Sequence, residues 1–151
     1  MGWYSEVSRN ISKIPEAIAH YESELVDARK EVKLVGNVEK ASAAMPGLVE
    51  QRFNQLQEIE AILEYLNIEQ RRKKTKYYKK YLEGYNKALS SRDAEKYADG
   101  EDEVIDQQHI VNEVALIRNK FIGLIKAIDA KQFQINNIVK LRAAGLEDVS
   151  L

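Results

Sequence analysis

The chain has 151 residues, and 23 Lys and Arg stand against 24 Asp and Glu, so its formal net charge is −1. It contains no cysteine, which excludes disulfides and thiolate metal sites, and no apolar run nears the roughly 18 residues a membrane span needs. With 31% charged residues and only two prolines, the composition predicts one helical domain over 1–151 rather than a disordered chain.

The opening MGWYSEVSRN lacks a charged segment followed by an apolar one, so no secretory signal is read there and a cytoplasmic location is expected. Glu6 departs from the myristoylation pattern. Trp3 and Tyr4 are costly to leave in water and are expected to dock. Pro15 suits the first turn of a helix. Ile14, Ile18, Tyr21, Leu25, Ala28, Val32 and Val35 then alternate spacings of four and three, which predicts a helix over 14–35 with a heptad seam. Gly36–Asn37 ends or bends it.

Pro46–Gly47 reads as a second break, and a long helix is predicted over 48–89. Its first half carries Val49, Phe53, Leu56, Ile59, Leu63 and Leu66 as the apolar side. It then enters RRKKTKYYKKY, where seven cations (Arg71, Arg72, Lys73, Lys74, Lys76, Lys79, Lys80) stand with three tyrosines and no acid. Like charges this dense repel and cost stability unless an anion lies near. Cations interleaved with flat rings suit a single-stranded nucleic acid, with phosphates on the cations and unstacked bases on the rings. Tyr78, Leu82, Tyr85 and Leu89 form a four-three-four stripe read as core or interface. Tyr77 and Tyr81, on a neighbouring face with Lys73, Lys74 and Lys80, are the candidates for stacking on bases.

Residues 90–103 form an acidic connector, in which Ser90–Ser91 caps a short helix and Asp99–Gly100 marks a turn. Its acids cap the next helix, dock on the basic run, or contact a partner; Asp99, Glu101, Asp102 and Glu103 are the partner-binding candidates. The last helix is predicted over 104–142. Ile110, Val114, Ile117, Phe121, Leu124, Ile128, Ile135 and Ile138 hold a stripe broken only by Lys131. Val111, Ile125 and Val139 widen it, so it is expected to bury in a bundle and to form the oligomer interface. Close helix approach is the expected reason for Gly123, and Gly145 stops the helix before a tail over 143–151.

Catalytic patterns are missing. His20 and His109 have no metal-ligand spacing, and there is no GxGxxG, GxxxxGK[ST] or GxSxG. The expectation is a protein that is not an enzyme and takes no metal or cofactor. The fold expected is all-α: long helices in an elongated bundle with coiled-coil-like seams, assembled into a homo-oligomer.

Three stretches carry a family likeness: ASAAMPGLVEQRF (Ala41–Phe53), KYYKKYLEG (Lys76–Gly84), and DGEDEVI (Asp99–Ile105) followed by a helix ending in AKQFQINNIVKLR (Ala130–Arg142). Over about residues 40–142 the chain resembles the UvsY-type recombination mediators of T-even-like phages. Leu82–Glu83 stand where that family tends to have two aromatics before the glycine. The resemblance implies a small helical protein in a ring-like homo-oligomer in the cytoplasm of an infected host. It also implies single-stranded DNA binding and loading of a RecA-like recombinase onto DNA covered by single-strand-binding protein. The rival reading is a structural coiled coil whose basic and acidic segments pair with each other.

Overall fold

The computed structural model describes residues 2–84 and 89–145. Among these the chain is all-α: α1 (Trp3–Arg9), a 3-10 turn (Ile11–Lys13), α2 (Ile14–Val32), α3 (Val38–Glu83), α4 (Ser91–Asp99) and α5 (Asp102–Ala143). α3 and α5, of 46 and 42 residues, pack against each other. No helix of the described residues is long and apolar enough to cross a membrane.

Packing resolves into two compact units, formed by the described residues of Met1–Ile18 with Glu58–Ile117, and of Ala19–Gln57 with Arg118–Leu151. The first unit buries Val7, Ile14, Ile59, Ile62, Leu66 and Val104, with the small residues Ala94 and Ala98 of α4. α1 is tied to α3, since the Trp3 amide donates to the Glu58 carboxylate at 3.1 Å; Trp3 is half-buried, but Tyr4, also expected to dock, is 43% exposed. In the second unit the core is Tyr21, Leu25, Ala28, Met45, Leu56, Phe121, Leu124, Ile128 and Ile135. Tyr21 meets Phe121 edge-on, with centroids 6.0 Å apart at 90°.

The predicted ends hold at several places. Gly36, with φ +78°, sits in the left-handed region between α2 and α3. The Asn37 side chain accepts from the amides of Glu39 (2.7 Å) and Lys40 (3.3 Å), capping α3. Ser90 caps α4 by accepting from the Asp93 amide. Gly145, at φ +79°, follows the end of α5.

Other expectations are corrected. Pro46–Gly47 does not break the chain: α3 runs through both. Pro46 is exposed, while Val38 and Met45 before it bury on the face that Arg52 and Leu56 occupy after it. Burial on both sides of the proline holds the helix, and water can serve the carbonyl that Pro46 leaves unpaired. The seam passes through Arg52 rather than Phe53, which is 49% exposed. Val35 lies beyond α2 and is 77% exposed. α3 ends at Glu83, and Leu89 lies outside any helix. Tyr85, placed in the same stripe, and the tail from Leu146 onward fall outside the described residues.

The α5 stripe is intrachain core. Val114, Ile117, Phe121, Leu124, Ile128 and Ile135 are buried within one chain, and Ile110 and Ile138 are half-buried. That burial uses the apolar surface of those six inside the protomer, while Ile110 and Ile138 keep part of theirs exposed. Lys131 breaks the stripe in sequence but not in space. It is buried too, and its ammonium donates to the Glu31 carbonyl at 2.8 Å. Gly123 is exposed, and a Cβ there would meet nothing within 4 Å, so close helix approach is not its reason. Gly123→Ala is accordingly expected to stabilise the protein by about 1 kcal/mol, read as a higher urea midpoint. An unchanged or lower midpoint would mean that the glycine has a role outside this packing.

Candidate nucleic-acid interface

The last third of α3 holds the basic run, and its two sides face different surroundings. The inward side continues the seam of the first unit through Leu66, Gln70, Lys73, Tyr77 and Tyr81, at helical spacings of four, three, four and four. The apolar phase therefore does not slip where the sequence turns basic; polar residues take over the same seam. Gln70 and Gln107 are buried. Gln70 Nε2 donates to Gln108 at 3.0 Å and to the Val104 carbonyl at 3.4 Å. Lys73 donates to Gln107 Oε1 at 3.3 Å, and Gln107 Nε2 to the Leu66 carbonyl at 3.5 Å. Lys73 is thus half-buried and spends its ammonium on a side-chain amide.

The acidic corner between α4 and α5 lies against this inward side. Lys74 pairs with Asp99 at 2.8 Å. The Tyr81 hydroxyl donates to Glu101, and the Tyr81 ring lies 5.3 Å from that of Tyr97, tilted by 31°. The Glu103 carboxylate lies near the Tyr77 hydroxyl. That carboxylate, more than burial or the further charge of Glu101, pushes the phenol above its ordinary range. Lys76 and Lys80 each hold an ammonium 5.6 Å from the centre of the Tyr77 ring. Tyr77 and Tyr81, the candidates for stacking on bases, are both half-buried, and the Tyr81 hydroxyl is held by Glu101. Tyr78 is half-buried beside Lys74, Thr75, Glu95 and Asp99, at a groove rather than in the core.

The outward side is different. Ile68, Arg71, Arg72, Thr75, Lys76 and Lys79 line one open depression along the helix, at the three-and-one spacing of a single face. Arg71 and Arg72 touch Glu64 (3.6 Å) and Glu69 (3.2 Å) of the same helix. Both arginines are mostly solvated, so these pairs are weak and easily exchanged. Among the described residues, Lys76, Lys79 and Lys80 have no ion-pair partner. A long, solvated cationic face on a nearly neutral protein can do one thing well, which is to collect an extended polyanion.

Of the acidic candidates, Asp99 and Glu101 contact the basic run and Glu103 lies near Tyr77, whereas Asp102 is exposed. Among the described residues no group of three or more His, Asp or Glu is placed to hold a metal ion. His20 packs edge-on against Tyr21, with centroids 5.2 Å apart. Sequence reasoning missed Arg52, which is buried in the second unit among Glu24, Glu31 and Gln55. The one signal was its position seven residues after Met45 and seven before Ile59, both in the buried seam. No family model, curated protein or solved structure matches the chain.

Proposed function

We propose that the protein binds single-stranded DNA along the outward face of α3 and acts as a recombination mediator. In that role it would help a RecA-like recombinase onto DNA covered by single-strand-binding protein. The observation that carries the binding step is the exposed row of Arg71, Arg72, Lys76, Lys79 and Lys80, three of whose members have no carboxylate partner among the described residues. The mediator step rests on the resemblance of residues 40–142 alone. An assembly of several copies would multiply the footprint and the avidity. With the α5 stripe buried, the apolar side chains left for such contacts include Leu116, Phe133 and Val139, with Phe133 70% exposed.

The test is anisotropy of a labelled oligo-dT across a salt series. Five phosphate contacts per chain predict a log–log slope of about −3.5, at about 0.7 per phosphate for single strands. Arg72→Glu with Lys76→Glu and Lys79→Glu is expected to weaken binding at low salt at least about tenfold while leaving the helical content intact. A folded wild-type protein that ignores the oligonucleotide at low salt would refute the reading. A second reading, a structural helical protein, is favoured by the Lys74–Asp99 pair and the Tyr81–Glu101 bond, which match acid to base within the chain. It predicts that reversing Lys74 lowers the melting temperature, whereas reversing Lys76 and Lys79 changes nothing.

A further inference from the structure

The basic run is half open and half closed. Its outward cations face solvent, while Lys74 and Tyr81 are each taken by a carboxylate from one short stretch, Asp99 and Glu101, with the Glu103 carboxylate near Tyr77. A carboxylate and a phosphate diester offer the same thing to an ammonium or a phenol, namely anionic acceptor oxygens. We infer that the 99–103 corner is an internal stand-in for the strand's phosphates. It holds the inward half of the run until a strand, already seated on the outward cations, exchanges phosphate oxygens for these carboxylates. This inference rests on the nucleic-acid reading above and concerns how that site is regulated.

Three features make the corner displaceable. Lys74 and Asp99 are each about half solvated, at 41% and 49%, so water and salt already compete for their pair. The corner is held at few points: α4 has nine residues and buries only Ala94 and Ala98, while Tyr97 and Asp99 are exposed. Small alanines give up little contact area when they leave. Release also frees something useful. Once the corner moves away, the Tyr77 and Tyr81 rings become available as π-faces beside Lys76 and Lys80, the arrangement single strands favour. The outward face is the landing site and the inward face the second, slower contact. Strand binding therefore includes a conformational step whose cost is set by the acids.

The experiment compares two triple variants of the full chain with the same change in net charge. One neutralises the docked acids (Asp99→Asn, Glu101→Gln, Glu103→Gln). The other neutralises exposed acids away from the run (Glu50→Gln, Glu60→Gln, Glu113→Gln). Both are titrated into labelled oligo-dT. The docked triple is expected to bind at least about fivefold more tightly than the control triple, the factor that corresponds to about 1 kcal/mol of released competition. Equal affinities would overturn the stand-in while leaving the nucleic-acid reading in place. Failure of the wild type and both variants to bind would remove the reading itself, and the inference with it. A second measurement needs no variant. Zero-length carbodiimide coupling should join Lys74 to Asp99 in the free protein, and saturating oligo-dT should suppress that product while sparing the Lys13–Glu16 product, a pair at 3.2 Å. Persistence of the Lys74–Asp99 product at saturation would show that the strand binds without displacing the corner.

Discussion

Replacing Arg52 by alanine is expected to cost about 3–5 kcal/mol of stability, seen as a lower urea midpoint. The side chain is 2% exposed, yet every nitrogen of its fork is used. Nε and Nη2 hold the two oxygens of Glu31 at 3.0 and 2.5 Å, and Nη1 takes Glu24 at 2.6 Å and Gln55 at 2.9 Å. The Glu31 hydrogen bonds, against the cost of burial, push the guanidinium further toward its charged form. Truncation leaves two neighbouring carboxylates, each only about a quarter exposed, with no cation between them. Lysine cannot reproduce the fork, so Arg52→Lys is expected to recover only part of the loss. Arg52→Leu combined with Glu24→Gln and Glu31→Gln should recover most of it, because no buried charge is then left alone. If that combination were as unstable as the alanine variant, lost packing rather than lost charge would be the cause. Acid should reveal the same cluster. Hydrogen bonding from Gln55, then from Arg52, holds the Glu24 carboxyl below its ordinary value of 4.5. A depressed carboxyl stabilises the fold fully above that value, and the stabilisation is lost as pH falls through the lower, folded one. The wild type is therefore expected to lose stability below about pH 4.5, and Arg52→Ala to show a shallower dependence there.

Phe121→Ala is the second large effect, again about 3–5 kcal/mol, or roughly 10 °C in Tm for a domain of this size. Phe121 is fully buried and edge-on to Tyr21, so truncation opens a cavity and removes the ring contact together. Concentration gives the experiment its edge. An intrachain core residue lowers Tm equally at dilute and concentrated protein, whereas an interface residue loses more at dilution. A shift that is independent of concentration supports the core assignment of the α5 stripe. A shift that grows on dilution would return the stripe to an interface between copies.

The helices were legible because their apolar residues recur at three and four, and the α4 cap because Ser90 is a side chain that accepts from a backbone amide; the Asn37 cap was not read, since α3 was expected to start ten residues later than it does. Two habits of sequence reading hid the rest. Charge is read as surface, so Arg52 and Lys131 dropped out of seams to which they belong. Proline is read as a break, so the two turns of α3 before Pro46 were set apart from it. Both habits follow averages that burial on neighbouring turns overrode. The basic run itself was plain, but not which half of it faces water. Tyr77, Tyr78 and Tyr81 are chemically alike, and only the continuation of the seam through Gln70 and Lys73 shows which of them turn inward. That continuation is invisible to a reading that counts apolar residues alone.

The buried amides of the first unit bear on how α3 and α5 choose each other's alignment. Leucine and isoleucine seams are forgiving, since sliding one helix past the other by a heptad trades one apolar contact for a similar one. Gln70 and Gln107 are not interchangeable with their neighbours. Gln107 bridges Lys73 and the Leu66 carbonyl, and Gln70 reaches Gln108 and the Val104 carbonyl. A slip of one heptad would set one amide against aliphatic side chains, Gln107 in one direction and Gln70 in the other, at about 1–3 kcal/mol for the orphaned group. The polar layer thus penalises wrongly staggered pairings more than it rewards the right one. The same stagger brings Asp99, Glu101 and Glu103 opposite Lys74, Tyr81 and Tyr77, so two glutamines far from solvent decide which surface groups can meet.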